Sequence, residues 1–127
     1  MFSEKVIDRF VNTKNVGLIK NASATASVTH SLYGDVFKAY LKIENNKIVE
    51  AKFKAFGSAA LIACGDIAMD YIIDKSINDI KNLTATDILC EVGDLPEEKA
   101  YCTKLIQETL LECIKVYEKK IQKENKN

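Results

Sequence analysis

The sequence predicts an α+β fold, with a three-stranded antiparallel sheet packed against helices and a long C-terminal helix. Three observations carry this reading. Two segments of alternating apolar and charged residues meet at Asn45-Asn46, the pattern of a half-buried antiparallel hairpin. Beyond Ser58 the apolar residues recur at helical spacing. Strand segments precede helical ones, which suggests a sheet covered by helices on one face. At 127 residues the chain is read as one domain, 1–127, long enough for a real core.

The elements follow in order. Ser3 can cap a short helix whose apolar residues Val6, Ile7, Phe10 and Val11 lie on one side. Residues 12–26 are rich in Asn, Ser, Thr and Ala and read as a loop. "TASVTHS", ending at Ser31, is the first strand. In "DVFKAYLKI" Phe37, Ala39, Leu41 and Ile43 share one face, while Lys38 and Lys42 point the other way. In the third strand Val49, Ala51, Phe53 and Ala55 alternate with Glu50, Lys52 and Lys54. Residues 58–73 form one helix, and Ser76 and Thr86 cap two short ones. Pro96 opens a long helix to about residue 123, with Ile106, Leu110, Cys113 and Tyr117 as its buried stripe.

Composition narrows the function. Apolar residues are 47% of the chain, and 18 basic residues balance 18 acidic ones. That balance gives no general affinity for nucleic acid. No apolar run is long enough for a membrane span, and the charged N-terminus lacks the apolar core of a secretory signal. The expected location is the cytoplasm, where the four cysteines, at positions 64, 90, 102 and 113, are reduced thiols. They contain no C-x-x-C pair, so a zinc ribbon is not indicated.

Five segments together carry a more specific signal. They are "SEKVIDRF" near the N-terminus, "NTKNVG" at 12–17, "YGDV" at 33–36, "AKFKAFGSAALIA" at 51–63 and "LPEEKAYCT" at 95–103. In order and spacing the chain resembles the U-type iron–sulfur cluster assembly scaffolds, the NifU N-terminal domain/IscU family, nearly end to end. "NTKNVG" is similar to the family's Asn-Pro-x-Asn-x-Gly, "YGDV" to its Cys-Gly-Asp segment, "AKFKAFGSAALIA" to its FKxxGCxxxIA and "LPEEKAYCT" to its LPxxKxHC. The resemblance implies a site of three cysteines plus an Asp or His, on three separate loops. Here Tyr33 and Ser58 stand at the first two cysteine positions and Tyr101 at the histidine, leaving Asp35 and Cys102.

Two donors fall short of the four that a [2Fe–2S] unit needs. They also fall short of three for an open zinc site. Ser and Tyr hydroxyls are poor ligands near neutral pH. Cys102, near a helix start, is expected to have a lowered pKa. His30, three residues before Tyr33, is the candidate third metal ligand. Cys64, rotated roughly 600° from Ser58 along one helix, reads as core, with metal ligation as its alternative. Cys113 lies roughly 16 Å along the helix from Cys102, too far to share its metal. Asp35 serves either as a ligand or as a turn residue.

The cofactor implied by the resemblance is an iron–sulfur cluster or iron, with zinc as the alternative. The implied partners are a cysteine desulfurase and other assembly proteins. A DnaK-type chaperone of the kind that reads Leu-Pro-Pro-Val-Lys would meet "LPEEK" here, whose two carboxylates oppose entry into an apolar groove. Two functional classes follow: a metal- or cluster-binding scaffold, in which two protomers of a homodimer could pool Asp35 and Cys102, or a ligand-depleted relative that acts as a binding or regulatory partner. A thiol enzyme built on Cys102 lacks a motif that positions a base, so no enzymatic activity is expected.

Overall fold

The computed structural model of the protein describes residues 2–125. Ser3 opens α1 (Glu4–Val11), its side chain accepting from the Val6 amide at 3.2 Å. Its hydroxyl also donates to the Val92 carbonyl, which ties the N-terminal helix to a distant part of the chain. Of the apolar side of α1, only Val6 is buried.

β1 (Ala24–Thr29), β2 (Val36–Glu44) and β3 (Lys47–Phe56) form one antiparallel sheet in that order. Asn45 and Asn46 take φ of 50° and 65°, the left-handed pair that a two-residue hairpin turn needs and that Asn tolerates. Phe37, Ala39, Leu41 and Ile43 face the core, joined by Ala51 and Phe53 from β3 and Ala24 from β1. The expected inward row of β3 breaks at Val49, which is 41% exposed while Ile48 is fully buried. Lys42 pairs with Glu50 but Ile43 pairs with Ile48, so Val49 is an extra residue. It is a β-bulge, and it shifts the phase of the alternation. The outer edge of β3 is covered by the 15–17 segment, through Phe53 N to Asn15 O and Gly17 N to Phe53 O.

α2 (Ala59–Ile72) is capped by Ser58 and buried along most of its surface. It lies close against the sheet because Gly65 carries no side chain. A Cβ there would stand 2.5 Å from the Phe37 ring. α3 (Ile77–Lys81) and α4 (Ala85–Val92) start with capping boxes at Ser76 and Thr84. The cap of α4 is therefore Thr84, not Thr86. Asp87 stands three residues after Thr84 and closes the box, whereas Thr86 lies inside the helix. Pro96 opens a 3-10 turn, Glu97–Lys99, instead of a continuous long helix. Helix α5 (Tyr101–Asn125) begins after Ala100.

α2 and α5 pack on one face of the sheet, α1 packs on α2, and α3 and α4 pack on α5. Ile106, Leu110 and Cys113 of α5 are fully buried in the core, with Tyr117 half-buried against it. No helix among the described residues is long and apolar enough to cross a membrane.

Candidate functional site

Three chain segments meet at one corner: the β1–β2 connection, the start of α2 and the start of α5. The connection is closed by His30 N to Asp35 O at 2.7 Å and Gly34 N to His30 O at 3.0 Å. Gly34 takes φ 74°, which only glycine adopts without strain. The β3–α2 turn seats directly against Asp35, and a Cβ on Gly57 would lie 2.7 Å from Asp35 Oδ2. From α5, Tyr101 Oη donates to Asp35 Oδ2 at 2.8 Å. The rings of His30, Tyr33 and Tyr101 form a mutual cluster. Their centroids are 5.0 Å apart for His30–Tyr33, 4.7 Å for His30–Tyr101 and 4.8 Å for Tyr33–Tyr101. Ser58, next to Gly57, caps α2 at this corner, its hydroxyl accepting from the Leu61 amide at 3.4 Å. The fold thus brings Tyr33, Asp35, Ser58, Tyr101 and Cys102 to one place, with His30 beside them.

The electrostatics correct one expectation. Cys102 sits in the first turn of α5, yet its thiol is pushed up to about 11, by burial first and then by the charge of Asp35. Lys99 and the hydroxyls of Tyr101 and Ser58 oppose this without reversing it. The helix start would favour thiolate, but full burial beside a carboxylate outweighs it. Burial and the bond to Asp35 raise Tyr101 above its ordinary value, so its hydroxyl remains a donor. His30 Nδ1 accepts from the amides of Leu32 at 3.2 Å and Tyr33 at 3.1 Å, which commits that nitrogen to its own turn.

The donor set is small. Among the described residues no three His, Cys, Asp or Glu side chains are grouped to hold a metal ion. Cys64 is buried in the core, its thiol pushed up to about 12 by burial and, secondarily, by neighbouring Cys102. Burial likewise pushes Cys113 up to about 12. Cys90 is exposed. A [2Fe–2S] cluster needs four terminal ligands. This corner offers Asp35, bonded to Tyr101, and Cys102, a buried neutral thiol. These residues do not fit a cluster held by one chain.

Sequence reasoning missed a second polar cluster, which joins α1 and the 12–17 segment to α2. Asp66, fully buried in α2, accepts from Arg9 Nη1 at 2.8 Å, Lys14 N at 2.9 Å and Asn15 N at 2.7 Å. Arg9 also pairs with Asp70, and Asn15 Nδ2 donates to Asp70 Oδ1 at 3.0 Å. This network fixes the 12–17 segment onto α2. The signals were Arg9, the chain's only arginine, and an acidic residue inside the apolar run "LIACGDIAM".

Comparison with known proteins agrees with this architecture. Residues 1–124 match the family described as NifU-like N terminal domain. An iron–sulfur cluster assembly scaffold protein IscU of Archaeoglobus fulgidus is 34% identical over 120 residues, covering 94% of this chain and 78% of the relative. The scaffold protein IscU of Aquifex aeolicus is 36% identical over 118 residues, covering 91% of this chain and 75% of the relative. Among solved structures, the N-terminal NifU-like protein of Brucella abortus shares the fold. Its TM-score is 0.73 at 18% identity, over 93% of this chain and 94% of that one.

Proposed function

The chain belongs to the NifU-like N-terminal domain family, and from that premise we propose that it serves iron–sulfur cluster assembly as a scaffold-fold protein whose own ligand corner is closed. Its relatives over most of its length are named as scaffold proteins of that process. The observation that carries the closed corner is the Tyr101–Asp35 hydrogen bond beside the buried, neutral thiol of Cys102. A thiol accepts sulfur or ligates iron as its thiolate, and this one keeps its proton at neutral pH.

The role is non-catalytic. The chain acts by binding assembly proteins, a cysteine desulfurase first among them. Exposed Leu32 and Tyr33 on the β1–β2 connection, and Phe56 before the α2 turn, supply apolar contact surface around the corner. A divalent cation entering the corner would take Asp35 and Cys102, with His30 as the next donor. It would first have to break the Tyr101–Asp35 bond. The free cysteines, three of them buried, fit a reducing compartment, and we assign the cytoplasm.

The test is a binding titration with a purified cysteine desulfurase, run beside anaerobic reconstitution with iron and sulfide. The expected result is a stable complex together with substoichiometric iron on the isolated chain. The absence of any complex would overturn the assembly role. A full cluster on the isolated chain would overturn the closed corner.

A further inference from the structure

We infer that the free edge of β1 is a strand-addition site. It takes an extended segment of a partner protein, antiparallel to β1, with apolar side chains and one basic side chain turned toward α5. The inference goes beyond the closed corner and uses neither Asp35 nor Cys102.

The hydrogen-bond phase of the sheet identifies the groups on offer. His30 N donates to Asp35 O at 2.7 Å, so that pair is of the hydrogen-bonded kind. Alternation along the antiparallel register makes Val28–Phe37, Ala26–Ala39 and Ala24–Leu41 hydrogen-bonded as well. The N–H and C=O groups of Thr25, Ser27 and Thr29 therefore point off the sheet. Among the described residues no turn or loop hydrogen bond reaches them. The opposite edge differs, because there the 15–17 segment bonds both N and O of Phe53. β1, with the sequence ATASVT, carries no charge, no proline and no bulge, the devices that keep an edge from pairing.

A groove of about 450 Å³ runs along this edge between residues 27–29 and α5, where Glu108, Leu111, Glu112 and Lys115 line it. Lys115 pairs with Glu112, and Glu108 has no ion pair among the described residues. The α5 wall thus offers apolar surface with one uncompensated carboxylate. An added strand turns the residues opposite Ala26 and Val28 toward that wall and those opposite Thr25, Ser27 and Thr29 away from it. A second copy of the chain does not fit. α5 packs over β1 more than over any other strand. Edge-to-edge pairing would bring the copy's α5 to the same face at about one strand spacing, roughly 4.8 Å, where helix axes need about 8–10 Å. A segment without such a helix has room.

The test follows the folded, nitrogen-15-labelled chain by NMR with the synthetic peptide acetyl-Thr-Val-Thr-Lys-Thr-Val-Thr-amide, titrated to millimolar concentration. Binding should slow amide exchange at Thr25, Ser27 and Thr29 and leave Ala26 and Val28, already bonded to β2, unchanged. A twin peptide N-methylated at its threonines loses the donors that face β1. It should bind at least about 10-fold more weakly, since each hydrogen bond contributes about 2- to 10-fold. Ser27→Pro removes an edge N–H without touching the β2 ladder and should weaken binding by about 10-fold. A twin with glutamate in place of lysine should bind roughly 2- to 5-fold more weakly.

No binding at millimolar peptide overturns the proposal. Equal affinity of the N-methylated twin overturns it too, and that arm stands if Ser27→Pro does not fold. Exchange slowed at Ala26 and Val28 instead of at Thr25, Ser27 and Thr29 is a further contradiction. Equal affinity of the glutamate twin overturns the basic occupant. Neither iron nor a desulfurase enters this measurement, so its failure is distinct from a failure of the scaffold reading.

Discussion

Asp66 sits in the interior of α2 with no exposed surface, and three donors converge on its carboxylate. Removing one partner of such a buried pair leaves the other uncompensated. Asp66→Ala should therefore cost about 3–5 kcal/mol of stability by urea unfolding. A loss under about 1 kcal/mol, the worth of a surface pair, would show that the anchor is idle. Cys102 shows where single-residue reading stops. Its position at a helix start was legible in "LPEEKAYCT", but its protonation state was not. The state depends on how deeply the thiol is buried and on Asp35, which lies 67 positions earlier in the chain. His30 was legible as a neighbour of the site. Its commitment to two backbone amides was not, because that follows from the geometry of the turn.

At the scale of elements, the hairpin was legible because alternation and an Asn-Asn turn agree. Replacing Asn46, at φ 65°, with alanine should destabilise the protein by roughly 1 kcal/mol, the left-handed penalty that Asn partly escapes. An unchanged midpoint in thermal unfolding would show the turn to be tolerant. The bulge at Val49 was not legible, since one extra residue changes phase without changing composition. The cap of α4 was legible in principle: Thr84 with Asp87 satisfies the box spacing, and Thr86 has Leu89 in that place. Hydrogen bonds from the Ser76 and Thr84 backbone and hydroxyls hold Asp79 and Asp87 below the usual aspartate value of 3.8. A depressed folded value contributes stability that is present above 3.8 and lost as pH falls through the lower folded value. NMR titration should place both carboxylates below the value of an unstructured peptide. Values at or above the peptide's would mean that the boxes are open.

At the scale of the whole molecule, the fold brings three segments that are distant in sequence to one corner, as the order of the motifs implied. What the motifs alone did not give is the substitute built there, a ring cluster with one polar bond, because side-chain stacking between segments has no sequence period. The account's central claim is that Tyr33, Ser58 and Tyr101 close a corner that the fold would otherwise let serve as a cluster cradle. Restoring the donors tests this most directly. Wild type and the triple variant Tyr33→Cys, Ser58→Cys, Tyr101→His would be reconstituted anaerobically, desalted, and analysed for iron, sulfide and visible charge-transfer absorbance. The account expects substoichiometric iron and little visible absorbance for the wild type. For the triple variant, with Cys102 as the third thiol, it expects about two irons and two sulfides per chain. A wild-type chain that keeps a full cluster, or a folded triple variant that takes up none, would contradict it.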